Sequence, residues 1–435
     1  MLISSSGHRQ TLVGAFVLWK SVLLLLVVGS SLGGPPYDTS TTLLDRRARG
    51  FDESALDLGT KLARWDAIYF VQNARRGYLF EQEWAFGAGM PTLIASVVRA
   101  FAYLGIESSS QWESLVGVCI AHASHLLSVL ALHRLGLAIG KDPNISFVAA
   151  LLHIVSPAGL FLSAPYQEST FALLSFLGYL LLAHGCLGPS RCIRQDAAIV
   201  GSGILFGLAT LFRSNGLLSG VSFAVFALAE LHRLATSSLT FARLRRLAAL
   251  GVGGLSVAMG SLVPQTLAYQ TFCAEPSGAA LRPWCLKTLP SIYSFVQEKY
   301  WNVGLFRYWT PGNIPLFLLS APVLYLMMRS GLDTLFPRHE VASARGSGVY
   351  QLPSDASLFI GAMAVSQVIL TTLAITTYHI QIITRIASGY PLWYWWLAGQ
   401  LGHSATVKFG GGVVVFMVMY ASIQGALFAS FLPPA

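Results

Sequence analysis

Two acidic residues in this 435-residue chain stand in settings that suit proton transfer. Asp66 lies in the run Arg64-Trp65-Asp66-Ala67-Ile68-Tyr69, and Glu168 follows Tyr166-Gln167 where an apolar stretch begins. Three further short segments combine basic, amide and aromatic side chains, namely Arg213 with Asn215, then Tyr300, Trp301, Asn302 and Arg307, then His379, Gln381 and Arg385. We treat the five segments as candidates for one site.

The residue types in this set favour one kind of chemistry. A carboxylate in a partly dry site can take a proton from an attacking hydroxyl. The forked N–H donors of arginine suit phosphate, and aromatic faces beside amides suit sugars. The set therefore fits transfer of a sugar from a lipid phosphate to another hydroxyl, with phosphate as the leaving group.

Each residue also has a structural interpretation. Asp66 could be satisfied in the first turn of a helix, Glu168 could cap the next helix, and Arg213 could reach the membrane interface. Tyr300, Trp301, Tyr308 and Trp309 could form an aromatic belt. His379 is read as a satisfied polar residue, because no His, Cys or Asp cluster has metal spacing. We predict no metal site and no cofactor.

The composition defines the class of protein in which these residues must be positioned. The chain is 54% hydrophobic and 11% charged, with a mean hydropathy of +0.60. An average soluble domain has about 25% charged residues. This excludes a soluble multi-domain enzyme and a disordered chain, and predicts a polytopic membrane protein.

Hydropathy predicts an all-α bundle of about eleven spans. The first, Thr11 to Gly33, is near the length of about 20 residues that crosses a bilayer. A cleaved signal peptide is its rival interpretation, and Lys20 within it could snorkel. The other predicted spans are 112–133, 146–162, 169–187, 197–212, 216–231, 248–271, 312–328, 357–377, 382–400 and 409–431.

Three connecting segments are long within this single membrane domain (1–435). Residues 34–111 form a first outer loop, in which Pro91 to Gly105 is read as a helix at the interface because Arg99 interrupts it. Residues 273–311 form a second outer loop, and the Gly/Ser-rich segment 329–356 reads as a flexible cytosolic loop.

The positive-inside rule sets the orientation. With a cytosolic N-terminus, thirteen of the 28 basic residues fall in cytosolic segments, and the short outer turns hold only Arg213 and Arg385. The net charge of +9 then marks topology, so no nucleic-acid partner is needed. This orientation gathers all five candidate segments on the outer side of the membrane.

Two sequence features report on the compartment of each side. Cys273 and Cys285 share the second outer loop, where they could form a disulfide in an oxidising lumen or remain free thiols. Asn144-Ile145-Ser146 matches the glycosylation sequon. It lies in a predicted cytosolic turn, so we expect it to stay unmodified.

At the candidate residues the chain resembles the eukaryotic GPI mannosyltransferase 2 family, endoplasmic-reticulum membrane enzymes of the GT-C class. The similar stretches fall between residues 64 and 396 in family order. They are RWDAIYFVQNARRGYLFEQEWAF, SPAGLFLSAPYQESTFALLSF, LFRSNGLL, WCLKTLPSIYSFVQEKYWNVGLFRYW, NIPLFLLSAP and HIQIITRIASGYPLWYW. Together they are specific, whereas Arg64-Trp65-Asp66 alone would be weak.

The resemblance implies a fold, a reaction and partners. The fold would be a GT-C helical bundle, and the enzyme would add the second mannose of the glycosylphosphatidylinositol (GPI) precursor in α1,6 linkage on the luminal face. The donor would be dolichyl phosphate mannose and the acceptor a mannosylated GPI lipid. Inversion would need one base and no covalent intermediate. Fungal members work with a small membrane partner subunit.

The resemblance also implies residue roles. Asp66 matches the family's catalytic position in the first luminal loop, with Glu168 as the runner-up. Arg213 and Arg385 are candidates for the donor phosphate. The candidates for sugar, acceptor and other substrate contacts are Arg64, Trp65, Tyr166, Asn215, Tyr300, Trp301, Asn302, Arg307, His379 and Gln381.

Three alternatives compete with this hypothesis. They are another GT-C lipid-linked sugar transferase, a polytopic lipid or sugar transporter, and a non-catalytic assembly subunit. A transporter should place polar residues at the midplane, whereas here they lie at one membrane face. Asp66 argues against the non-catalytic subunit.

Overall fold

The computed structural model describes residues 5–30, 37, 38, 40–44, 58–106, 112–188, 192–236, 239–274, 282–337 and 354–433. Over these residues the chain is helical and contains no β-strand. The α-helices are α1 (Ser5–Gly29), α2 (Leu58–Leu62), α3 (Asp66–Arg76), α4 (Gly89–Tyr103), α5 (Trp112–Ala138), α6 (Pro143–Ile154), α7 (Glu168–Cys186), α8 (Ile193–Phe212), α9 (Gly220–Thr236), α10 (Phe241–Cys273), α11 (Ile292–Trp301), α12 (Ile314–Leu335), α13 (Ser354–Thr376), α14 (Ile383–Ile386), α15 (Leu392–Leu401) and α16 (Val407–Ala429).

Nine helices of the described chain are long and apolar enough to cross a membrane. They are α1, α5, α7, α8, α9 with the short turn before it, α10, α12, α13 and α16. Their outward faces carry exposed leucine, valine and aromatic side chains, which is the surface expected against lipid. The predicted class, an all-α polytopic bundle, is confirmed.

Two of the eleven predicted spans are broken helices in the structure. The span predicted at 146–162 is α6, which ends at Ile154, followed by an irregular stretch and a 3₁₀ turn at Gly159–Leu162. The span predicted at 382–400 is a run of short turns followed by α15. Non-helical backbone at membrane depth is tolerated where protein surrounds it, and most residues of both segments are buried.

Close backbone contact holds α8 against α10. A Cβ added to Gly203 would lie 2.4 Å from the Cα of Gly253, and one added to Gly207 would lie 2.3 Å from the Ser256 carbonyl oxygen. Small residues allow membrane helices to approach this closely, and dispersion contacts then stabilise the pair. This contact fixes the end of α8 that leads into Arg213.

An ionic network ties the helices together at the opposite end of the bundle. Glu230 of α9 is buried and pairs with Arg233 at 2.7 Å and with Arg246 of α10 at 3.5 Å. Arg233 also pairs with Asp355 of α13. The network lies at the helix ends that the positive-inside rule predicts to be cytosolic.

The first helix decides one open alternative. The sequence allowed Lys20 to snorkel to the interface, but its side chain turns inward and is only 8% exposed. The amine finds a backbone carbonyl and a hydroxyl inside the bundle, so it is solvated by protein instead of by interfacial water.

The connecting segments are partly helical. The first outer loop contains α2, α3 and α4, and α4 corresponds to the interfacial helix expected at Pro91 to Gly105. In the connector predicted at 329–356, α12 continues to Leu335, supported by an Arg329–Asp333 ion pair at 2.9 Å. The flexible loop predicted over 329–356 is therefore wrong at its two ends, which lie in α12 and α13, and residues 338–353 lie outside the described residues.

We expect Gly203→Ala to lower the free energy of unfolding by about 1–3 kcal/mol, because the new methyl group overpacks against the α10 backbone. Gly251→Ala is the matched control, since a Cβ there meets nothing within 4 Å. Denaturant unfolding of both variants in detergent checks the difference. Equal stability of the two would contradict close α8–α10 contact.

Candidate active site

A cavity of about 630 Å³ opens at the end of the bundle where the five candidate segments meet. Its wall includes residues from the first outer loop, from the turns before α7 and α9, from α10 and α11, and from the segment after α13. The predicted site residues on its lining are Trp65, Asp66, Tyr166, Arg213, Asn215, Tyr300, Trp301, His379, Gln381 and Arg385.

Glu168 is the electrostatic centre of the site. It begins α7, its side chain is fully buried, and its Oε1 accepts hydrogen bonds from Arg213 Nη1 at 2.7 Å and Arg385 Nε at 2.8 Å. Its Oε2 is buried without a hydrogen-bond partner, and it does not line the cavity. Glu168 therefore binds the two arginines on the side that faces away from the cavity.

Asp66 faces the cavity. Its side chain is 37% exposed, and its Oδ2 accepts from Arg385 Nη1 at 3.2 Å. It is the first residue of α3, as the structural interpretation expected. Trp65 before it has φ of 55° and ψ of −127°, a conformation that non-glycine residues rarely adopt. Asp66 thus follows a strained residue and reaches Arg385 from the first position of α3.

Arg385 connects the two carboxylates and lies on aromatic faces. Its guanidinium carbon lies 4.2 Å from the centre of the Phe161 ring and 4.9 Å from that of Tyr166. Such cation–π contacts orient the planar group. The two arginines and the two carboxylates of this cluster balance in formal charge.

Tyr166 is a structural donor rather than an acid or base. Burial raises the pKa of its hydroxyl well above the ordinary value of a tyrosine, so it stays protonated near neutral pH. That hydroxyl donates to the backbone oxygen of Arg64 at 3.1 Å. The bond links the turn before α7 to the loop that carries Asp66.

The segment after α13 is fixed by the second outer loop. His379 Nε2 lies 2.9 Å from the Trp301 carbonyl oxygen, and its ring stacks on Tyr308. The Tyr308 hydroxyl donates to Gln381 Oε1 at 2.9 Å. His379 is thus a satisfied polar residue at the cavity wall, and no group of three or more His, Cys, Asp or Glu able to hold a metal occurs in the described chain.

Four candidates lie away from the cavity lining. Besides Glu168, these are Arg64, Asn302 and Arg307. Arg64 is buried over the Phe431 ring and donates to Thr41. Asn302 ends α11 in the left-handed conformation, and Arg307 pairs with exposed Glu298 at 3.1 Å. Their positions indicate packing, helix-capping and surface roles.

The second outer loop is fastened in two ways. The structure contains a disulfide between Cys273 and Cys285, whose Cα atoms are 5.8 Å apart. Trp284, fully buried, donates from Nε1 to Glu81 Oε1 at 2.8 Å. These links place α11 over the cavity.

Several cavity residues were absent from the sequence prediction. Amide and hydroxyl groups of Gln82, Gln167, Gln265, Tyr293 and Gln297 add a polar wall, and Tyr69 and Phe86 stack beside Trp301. Gln167 was detectable as the neighbour of Glu168. Gln265 follows Pro264, which lacks the N–H that would bond the Gly260 carbonyl, and both residues reach the cavity.

The backbone approaches closely beside this wall at Gly87. Its φ is +74°, and a Cβ there would lie 2.6 Å from the Phe212 carbonyl oxygen. Only glycine fits the position. The first outer loop can therefore pack directly on the end of α8, which precedes Arg213.

The fold and the cavity define a multi-pass helical membrane protein with a charged, aromatic-walled site at one end. The sequence model of the family described as "Mannosyltransferase (PIG-V)" matches residues 9–435. The chain therefore belongs to this mannosyltransferase family. It is a glycosyltransferase, and the resemblance seen in the sequence is confirmed.

Curated relatives carry the name GPI mannosyltransferase 2. The one from Chaetomium globosum is 49% identical, over 98% of this chain and 96% of its own length. Those from Gibberella zeae and Aspergillus oryzae are 44% and 40% identical, over 98% and 100% of this chain and 97% and 98% of their own lengths. These relatives identify the chain as a GPI mannosyltransferase.

Solved structures resemble the chain more distantly. An oligosaccharyltransferase from Archaeoglobus fulgidus gives a TM-score of 0.49 at 13% identity, over 98% of this chain and 55% of that one. ArnT from Cupriavidus metallidurans, bound to undecaprenyl phosphate, gives 0.43 at 13% identity, over 96% of this chain and 77% of that one.

We expect Glu168→Gln to lower the free energy of unfolding by about 3–5 kcal/mol, because two buried guanidiniums lose their shared anion. Glu298→Gln is the matched control, since it breaks an exposed ion pair with Arg307 that contributes about 0–1 kcal/mol. Denaturant unfolding in detergent checks both. If both variants lost the same small amount of stability, the stability of the cluster would not depend on Glu168.

Proposed function

We propose that this GPI mannosyltransferase adds the second mannose, in α1,6 linkage, from dolichyl phosphate mannose to a mannosylated GPI lipid, with Asp66 as the base. The observation that carries the proposal is the contrast between the two carboxylates. Asp66 is exposed to the cavity, whereas Glu168 is fully buried behind the arginines. Only Asp66 can reach an acceptor hydroxyl.

The reaction is a single displacement. The acceptor hydroxyl oxygen attacks C1 of the mannose and its proton passes to the Asp66 carboxylate. The bond between C1 and the phosphate oxygen breaks, and its electron pair leaves with dolichyl phosphate. Attack opposite the leaving group converts the β linkage of the donor to α, so no covalent enzyme intermediate is needed.

Electrostatics support the placement of the phosphate. Arg213 and Arg385 both border the cavity, and Arg213 Nε is buried without a hydrogen-bond partner. Protonation of Asp66 removes one negative charge from the cluster as the leaving phosphate gains one. Arg385, released from Asp66, can then turn its Nη1 towards that phosphate, where a forked donor is well suited.

The cavity walls support binding of two carbohydrate partners. Aromatic rings of Tyr69, Phe86 and Trp301 offer flat faces for sugars, and the amides of Gln82, Gln265 and Gln297 offer hydrogen bonds to hydroxyl groups. We place the site on the luminal face of the endoplasmic-reticulum membrane, as the distribution of basic residues favours. The proposal also includes the small membrane partner subunit that the family resemblance implies.

We expect Asp66→Asn to reduce mannose transfer at least 10²-fold, because the amide cannot accept the proton. Asp142→Asn is the control: Asp142 caps α6 at the far end, and asparagine caps helices equally well. Microsomes carrying each variant are given dolichyl phosphate mannose and a one-mannose GPI lipid. Normal activity of the Asp66→Asn variant would contradict the role of Asp66 as base. If the wild-type protein transferred mannose from GDP-mannose but not from dolichyl phosphate mannose, the proposed donor would be wrong.

Glycan mapping tests the luminal placement. We expect no glycan at Asn144 in the native chain, and a glycan in the variant Leu286→Asn, which creates an Asn-Lys-Thr sequon at an exposed position of the second outer loop. Endoglycosidase treatment followed by gel mobility reads out both sites. A glycan at Asn144 would reverse the orientation.

A further inference from the structure

Lys20 is a polar side chain inside the membrane that the reaction described above does not use. It lies in α1, where Val17, Leu18 and Leu24 are exposed, while Lys20 itself is buried. An ionisable side chain in a membrane span is costly and is retained for a purpose. Its contacts indicate that purpose.

The amine of Lys20 bonds to the irregular turn between α6 and α7. Nζ donates to the Leu162 carbonyl oxygen at 2.9 Å and to Ser163 Oγ at 2.6 Å. Ser169 Oγ donates to the same Leu162 carbonyl at 3.0 Å. Because the chain leaves the α-helical pattern here, its backbone groups need partners from elsewhere. Lys20 supplies one from a different helix.

The same turn shapes the charged cluster. Phe161, one residue before Leu162, lies under the Arg385 guanidinium at 4.2 Å, and Tyr166 lies beside it at 4.9 Å. Glu168, at the end of the turn, binds both arginines. A shift of Leu162 and Ser163 would therefore move the aromatic support and the anion of Arg385 together.

We propose that Lys20 is a positioning residue for mannose transfer: it fixes the turn from Gly159 to Glu168 and thereby the geometry of Arg385 and Arg213. Lys20 acts through the turn and does not contact substrate. The inference extends the proposed function, but it requires only that the cluster around Arg385 is catalytic. The donor and the identity of the base do not enter it.

The test compares Lys20→Met with Ser21→Met. Methionine fills a similar volume but donates no hydrogen bond, and Ser21 is the exposed neighbour on the same helix. For Lys20→Met we expect kcat to fall about 10- to 100-fold, since small misplacements of catalytic groups have effects of this size, with KM changed less than threefold. Ser21→Met should match the wild type, and Lys20→Arg should recover part of kcat.

Two readouts separate this inference from the proposed function. One is transfer from dolichyl phosphate mannose in microsomes, and the other is surface display of GPI-anchored proteins in cells that lack this mannosyltransferase. A wild-type protein that restores display but rejects this donor refutes the donor, and the Lys20 comparison then proceeds on display. Wild-type kcat or display in a folded Lys20→Met protein overturns the Lys20 inference.

A double-mutant cycle covers the case in which Lys20→Met does not accumulate. Ser163→Ala removes one acceptor with little change in volume, and we expect it to lower kcat several-fold at normal abundance. In the Ser163→Ala background, Lys20→Arg should change kcat less than in the wild type, because the two residues act through one contact. Wild-type kcat in Ser163→Ala, or strictly additive effects, overturns the inference.

Discussion

The site depends on one buried carboxylate shared by two arginines. Glu168 has no exposed surface, and desolvating an anion is costly unless cations and hydrogen bonds repay that cost. Arg213 and Arg385 come from segments far apart in the chain, so the ion pairs fix the distance between the end of α8 and the segment after α13. These two segments of the cavity wall cannot separate without leaving a buried charge unpaired.

The two broken segments explain how polar groups gather at one depth of a membrane protein. If both segments were continuous helices, Tyr166 and Arg385 would lie on the regular turns of two separate helices. Instead, one irregular stretch runs from the end of α6 at Ile154 to the start of α7 at Glu168, and another lies between α13 and the start of α15 at Leu392. Long helices enclose both stretches. Lys20 donates into the first of these stretches, and Asn215 donates to the Tyr390 hydroxyl in the second. Irregular backbone thus becomes a rigid frame for charged side chains.

The sequence predicted the class of fold and ten of the residues that line the cavity, because hydropathy and charge bias act on each segment locally. Asp66 was found as an acid in an aromatic setting of the first outer loop, and Arg213 and Arg385 as basic residues of short outer turns. The structure brings all three together. The burial of Glu168 could not be predicted, because the sequence around an acid at a span end is the same whether its side chain faces the cavity or the core. The inward position of Lys20 could not be predicted either, because its hydrogen-bond partners lie far along the chain.

A charge cluster alone does not make a site, as the two ends of this bundle demonstrate. Glu230 with Arg233, Arg246 and Asp355 repeats the composition of Glu168 with Arg213, Arg385 and Asp66. The first group joins α9, α10 and α13 and does not border the cavity. The second has an acid that reaches open volume, aromatic rings beneath one arginine, and amides across the cavity. The same ions therefore join helices at one end of the bundle, whereas at the other end they border an open cavity, which is what the proposed reaction requires.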